Sequence, residues 1–176
     1  TMAGYLRELR GRGISVNVVP VVGHGAVRAA VMGYERRPPS EEELAAMKRE
    51  VAKACEEGAR AISSGLIYPP SSYAATDELV ALCEVAAGYG AIYMTHLRNE
   101  GDHLLDAVRE ALDVGRLAGI PVQISHHKAV GRPNWGKVKD SLALLEEARR
   151  SGLDVTCDQY PYVASSTGLA SVIPAA

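Results

Sequence analysis

At 176 residues, with 47% apolar and 23% charged side chains, the chain can bury one sizeable core and is composed like an ordinary globular protein. Its formal net charge of −2, with both signs interspersed, excludes a basic nucleic-acid footprint. No apolar run approaches the roughly 20 residues of a membrane span and no signal-peptide pattern opens the chain, so a cytoplasmic protein is expected.

In chain order, one pattern recurs: a glycine, then a short apolar or β-branched run. Gly13 precedes Ile14-Ser15-Val16-Asn17-Val18-Val19, and Gly58 precedes Ala59-Arg60-Ala61-Ile62-Ser63-Ser64. Gly90, Gly119 and Gly152 precede runs that end at His96, His126 and Asp158. Glycine just past a helix accepts the left-handed conformation that closes it, so each glycine marks a helix end feeding a strand. Between the strands the apolar residues follow helical spacing. Ser40-Glu41-Glu42-Glu43 is a capping box, followed by Leu44, Met47, Val51 and Cys55 on one face. Thr76 or Asp77 caps the next helix, with Leu79, Leu82, Cys83 and Ala86 inward. Asp102 caps a third, with Leu105, Val108, Leu112 and Gly115 inward, and a fourth from about Lys137 buries Val138, Leu142, Leu145 and Ala148. Cys55, Cys83 and Cys157 are odd in number and far apart, which supports neither a disulfide framework nor a zinc knuckle; core packing is the reading for each.

Strands alternating with helices of this length give an α/β protein of about five consecutive βα units and a parallel sheet, without a linker. Five units fall short of the eight of a (β/α)8 barrel, whereas an open doubly wound sheet would be complete at this length. Periodicity alone leaves both open.

In either fold, functional groups gather at the carboxyl ends of the strands. Those ends read Ser63-Ser64, His96, His126 and Asp158. Alternation places His96 with Ile92 and Met94, and His126 with Val122 and Ile124, on corresponding faces of successive strands. A lone strand-end histidine is more often a satisfied core residue. Two at equivalent places favour a shared metal, since neutral imidazole is a common zinc ligand. His127 is expected to be structural, His103 a surface residue, and His24 a loop histidine held between Gly23 and Gly25. Lys128 and Arg98 each lie two residues past a histidine, where a cation suits a substrate carboxylate or simply meets solvent. Asp158 is either part of the site or a partner of one of these cations. Tyr68 follows the second strand, where a phenol could polarise a carbonyl. Phosphate-loop, dinucleotide and nucleophile-elbow motifs are absent from the sequence.

In this order, Ser63-Ser64-Gly65-Leu66-Ile67-Tyr68-Pro69-Pro70, Met94-Thr95-His96-Leu97-Arg98-Asn99-Glu100, Ile124-Ser125-His126-His127-Lys128 and Asp158-Gln159-Tyr160-Pro161-Tyr162 resemble the D-aminoacylases (N-acyl-D-amino-acid deacylases) of the amidohydrolase superfamily. The likeness covers nearly the whole chain, including Gly23-His24-Gly25. It implies a metal-dependent (β/α)8 barrel that hydrolyses the amide of N-acyl-D-amino acids. It further implies that His96 and His126 are zinc ligands from the fifth and sixth barrel strands. Lys128, Tyr160 and a serine of the pair Ser165-Ser166 would hold the substrate α-carboxylate, and Tyr68 would lie against the scissile carbonyl.

The family's His-x-His pair, its metal-bridging cysteine and its eighth-strand aspartate have no counterpart in these residues. The expectation is therefore one incomplete barrel segment over residues 1–176, resembling strands three to seven, with little activity alone. Exposed barrel edges would favour self-association. Two alternatives stand beside it: an amidohydrolase acting on a cyclic amide or another N-acyl compound, and a non-catalytic α/β segment completed by a partner chain.

Overall fold

The computed structural model describes residues 1–168. After an N-terminal helix α1 (Met2–Arg12), the chain alternates β1 (Val21–Gly23), α2 (His24–Met32), α3 (Glu41–Glu56), β2 (Ala61–Gly65), α4 (Thr76–Ala87), β3 (Ile92–His96), α5 (Leu104–Ala118), β4 (Val122–Ile124), α6 (Lys137–Arg150) and β5 (Val155–Cys157). All neighbouring strands pair in parallel, in the order β1-β2-β3-β4-β5.

That order decides between the two architectures. A doubly wound sheet reverses its strand order at a switch point, whereas a barrel adds each strand beside the last. Here no reversal occurs, and α2 to α6 pack each on the next in one layer. The fold is a partial α/β barrel.

The core lies between sheet and helices. Val22, Ile62, Tyr93, Thr95, Val122, Ile124 and Val155 face the helical layer and are buried. The opposite residues, Ser63, Ile92, Met94 and Gln123, are half-buried on the concave face. From the helices, Met47, Val51, Leu79, Leu82, Val108, Leu112 and Leu145 complete the core. Gly119 closes α5 in the left-handed conformation, with φ 62° and its N–H on the Gly115 carbonyl. The capping box is present: Ser40 Oγ accepts from Glu43 N at 3.2 Å, and Glu43 Oε2 accepts from Ser40 N at 2.8 Å. Among the described residues no helix is long and apolar enough to cross a membrane.

Several local expectations are corrected. The run Ile14–Val19 is not the first strand; that strand starts at Val21, and Ile14, Val16, Val18 and Val19 are exposed. An apolar run becomes a strand only with a neighbour to pair with, and among the described residues β1 has β2 alone. Cys157 is exposed because β5 is likewise an edge, whereas Cys55 and Cys83 are buried. Burial pushes the Cys83 thiol up to about 12, an inert packing residue. Leu142 faces solvent, and Ser141 takes the inward place on α6. Asp102 does not cap α5. Asn99 does the work of an Asx turn there, Oδ1 accepting from Gly101 N and His103 N at 2.9 and 3.1 Å.

Candidate metal centre

His96 ends β3, and its ring lies at the carboxyl edge of the sheet. Burial pushes the imidazole below its usual pKa, with the nearby His126 and Lys128 acting in the same sense and the charge of Glu100 opposing them. The ring is thus held neutral, the form that ligates metals. Its Nε2 is buried with no hydrogen-bond partner among the described residues. A buried imidazole nitrogen without a partner loses its hydration and gains nothing in return.

His126 meets it, but not by strand alternation. The register pairs Met94 with Gln123 and Thr95 with Ile124, which continues as His96 against Ser125. Simple alternation would send His126 to the helix side. Instead β4 stops at Ile124, and His126 takes a left-handed backbone with φ 42°. That turn swings the ring back, to a centroid separation of 4.4 Å from His96 with the planes at 71°. Histidine tolerates this conformation better than most residues, but it still needs support. Asp158 provides it from beyond β5: Oδ1 accepts from His126 N at 2.6 Å, and the Asp158 carbonyl accepts from His127 N at 2.8 Å. Asp158 is therefore neither a partner of Lys128 nor of Arg98.

A third group joins the pair. One ligand atom each from His96, Glu100 and His126 lies within 4.8 Å of the others, and all three residues are half-buried. Two imidazoles around an unpartnered Nε2, with a carboxylate beside them, fit a divalent transition metal with positions left open.

Around this cluster the other expected residues are distributed unevenly. Tyr68 stacks obliquely on His96, ring centroids 5.2 Å apart, and its hydroxyl is 2.9 Å from Thr167 Oγ1. Lys128 Nζ lies 2.5 Å from Glu100 Oε1 and 5.5 Å from the Tyr160 ring centre. His126, Lys128, Trp135, Tyr160 and Ser165 line one cavity of about 590 Å³, and Ser166 is exposed next to Ser165. Arg98 is drawn away from the site. Its guanidinium pairs with Glu110 at 2.9 Å and donates to the Ser72 and Ala74 carbonyls, pinning the loop before α4. His127 is buried, 2.9 Å from Ser141 Oγ, and His103 is exposed on the surface.

His24 is not a loop residue. It is fully buried at the start of α2, with Nδ1 2.9 Å from Ser71 Oγ and Nε2 2.9 Å from Glu78 Oε1. Arg28 Nη1 donates to the other Glu78 oxygen. Gly25 permits this packing, since a Cβ there would lie 2.8 Å from Ser71 Oγ. The network ties α2 to the segment that follows Tyr68. Neither Glu78 nor Glu100 is singled out by periodicity; for Glu100 the available signal is its place four residues after His96 in the same motif.

Sequential parallel strands under a single helical layer, with two imidazoles at their carboxyl ends, define a partial α/β barrel with a candidate metal centre. Homologues named D-aminoacylase, N-acyl-D-glutamate deacylase and N-acyl-D-aspartate deacylase cover the chain at 41–44% identity. With a D-aminoacylase of Alcaligenes xylosoxydans xylosoxydans the identity is 44% over 95% of this chain and 34% of that protein. Among solved structures, a D-aminoacylase described as defining a novel subset of amidohydrolases superposes with a TM-score of 0.88 at 41% identity, over 92% of this chain and 34% of that one. An N-acyl-D-glutamate deacylase from Bordetella bronchiseptica, complexed with zinc and a phosphonate mimic of the tetrahedral intermediate, gives a TM-score of 0.88 at 36% identity with the same coverage. No protein-family model matches. The chain spans about a third of the length of these relatives.

Proposed function

We propose that this chain is the part of an N-acyl-D-amino-acid deacylase that carries two zinc ligands and the substrate carboxylate clamp. The observation that carries the reading is the convergence of His96, Glu100 and His126 at the strand ends of a chain 44% identical to a D-aminoacylase. His96 and His126 hold the zinc. Bound there, zinc supplies Lewis acidity, polarising a carbonyl and lowering the pKa of water from about 15.7 towards 7. Tyr68, against His96, donates its hydroxyl to the scissile carbonyl oxygen. Lys128 holds the α-carboxylate of the small N-acyl-D-amino acid, with Tyr160 and Ser165 or Ser166 closing around it; an ammonium beside an aromatic face and a hydroxyl suits a compact anion. A reducing, cytoplasmic compartment suits the three unpaired cysteines. As a single barrel segment over residues 1–176, the chain contributes these groups, and turnover requires the remaining strands of the barrel.

Zinc titration by calorimetry tests the metal reading. The wild-type chain should bind zinc, and His96→Ala and His126→Ala should each weaken binding at least tenfold. Equal affinity in all three removes these residues from the metal site. In the complete enzyme, amidation of the substrate α-carboxylate should abolish turnover; retained turnover removes Lys128 from its assigned role.

A further inference from the structure

Glu100 lies on the loop between β3 and α5, and its side chain is only 13% exposed. Its Oε1 is 2.5 Å from Lys128 Nζ and 3.1 Å from His126 Nδ1, while Nζ and Nδ1 are themselves 2.8 Å apart. Three groups thus share one triangle. An ammonium has only protons to give, and a carboxylate only lone pairs. The imidazole alone can take either part. If Nδ1 carries the proton, it donates to Glu100 and leaves the Nε2 lone pair free. If Nδ1 is bare, Lys128 donates to it, and the ring proton sits on Nε2, where it blocks a metal. The carboxylate tips the balance. It gives Lys128 a charged acceptor at shorter range than Nδ1, and it gives Nδ1–H an acceptor of its own.

We propose that Glu100 is a positioning residue for two neighbours at once. It holds His126 in the Nδ1–H tautomer that offers Nε2 to zinc, and it fixes the Lys128 ammonium at the cavity wall. The inference rests on the zinc and carboxylate roles given under Proposed function and deepens them. Metal and substrate anion are then coupled through a single oxygen, and such coupling is reciprocal. Coordination by Glu100 itself would pull that oxygen away from Lys128, whose ion pair within the described residues is with Glu100.

The test uses the metal-free 176-residue chain labelled with ¹⁵N-histidine, with long-range ¹H–¹⁵N spectra reporting each ring's tautomer. Wild-type His126 should be Nδ1–H. Glu100→Gln keeps the shape and removes the charge, so Lys128 donates to Nδ1 and the ring switches to Nε2–H. Zinc affinity should fall about 10- to 100-fold, the usual effect of losing an outer partner of a ligand. Lys128→Met removes the competing donor and should keep Nδ1–H with undiminished zinc affinity, an arm independent of the folding of Glu100→Gln. An Nε2–H ring in the wild type, or the same tautomer in wild type and Glu100→Gln, overturns the role. So does a Glu100→Gln loss of zinc affinity far beyond about 100-fold, which would make Glu100 a ligand. Wild-type zinc affinity in His96→Ala and His126→Ala overturns the metal reading instead, so the two failures are distinguishable.

Discussion

Replacing Glu78 by glutamine should destabilise the chain by about 3–5 kcal/mol, the cost of leaving a buried charge uncompensated. Arg28 is fully buried and Glu78 is 4% exposed. Arg28 Nη1 donates to the Glu78 carboxylate, Nη2 donates to the Arg37 carbonyl at 2.5 Å, and His24 reaches the second carboxylate oxygen at 2.9 Å. Burial pushes the Glu78 carboxyl up, but the hydrogen bonds from His24 and Arg28 outweigh it and hold the group below its usual range. Glu78 is therefore charged in the folded chain. Its contribution is fully present above the ordinary glutamate value of about 4.3 and is lost as pH falls through the lower folded value. Glutamine keeps one oxygen for His24 but cannot neutralise Arg28. A loss of 3–5 kcal/mol is a large share of the about 5–15 kcal/mol that a typical domain has. Arg28→Met combined with Glu78→Gln removes both charges and should recover most of that loss, since a buried pair replaced as a unit is often near neutral. Urea unfolding at pH 7 followed by circular dichroism measures all three chains. A single variant within about 1 kcal/mol of wild type, or a double variant no better than the single, would refute this account of the network.

Gly115→Ala sets about 1 kcal/mol of helix propensity against a Cβ that overlaps Val122 Cγ2 and lies 3.2 Å from Leu153 Cδ1. Overpacking a stiff, buried valine costs about 1–3 kcal/mol, so a net loss of up to about 2 kcal/mol is expected; a raised urea midpoint would contradict it. His127 resists protonation because it is buried, with the Lys128 charge adding to that effect and Glu100 opposing it. Ser141 Oγ donates to the Val138 carbonyl, which leaves it to accept from His127 Nε2–H. Below pH of about 6.5 the unfolded chain takes up a proton that the folded chain declines, so stability should fall as pH drops from there through the lowered folded value. His127→Asn should flatten that slope between pH 7.5 and 5.5, and parallel slopes would rule the effect out.

The elements that sequence foretold well are those set by local chemistry. Ser40 and Glu43 form their box with no help from distant residues. Leu79, Leu82, Cys83 and Ala86 are buried as their spacing requires. His96 lies at a strand end because the alternation through Ile92 and Met94 holds. What was hidden depends on partners far along the chain. His24 and Glu78 meet across 54 positions, and no periodicity records such a pairing. Arg98 has the same spacing from its histidine as Lys128, yet Glu110 and two carbonyls claim it. The pairing of His96 with His126 was anticipated through alternation, whereas the register requires a left-handed residue to bring it about.

That left-handed residue separates the phase of the strand from the placement of its functional group. β4 counts one step out of step with β3, and the turn at His126 restores parity after the last ladder hydrogen bond. The lock on the turn is Asp158, a residue of the next unit. The imidazole pair is thus a joint product of three consecutive units, and shifting Asp158 by one position along the chain would unmake it without touching either histidine.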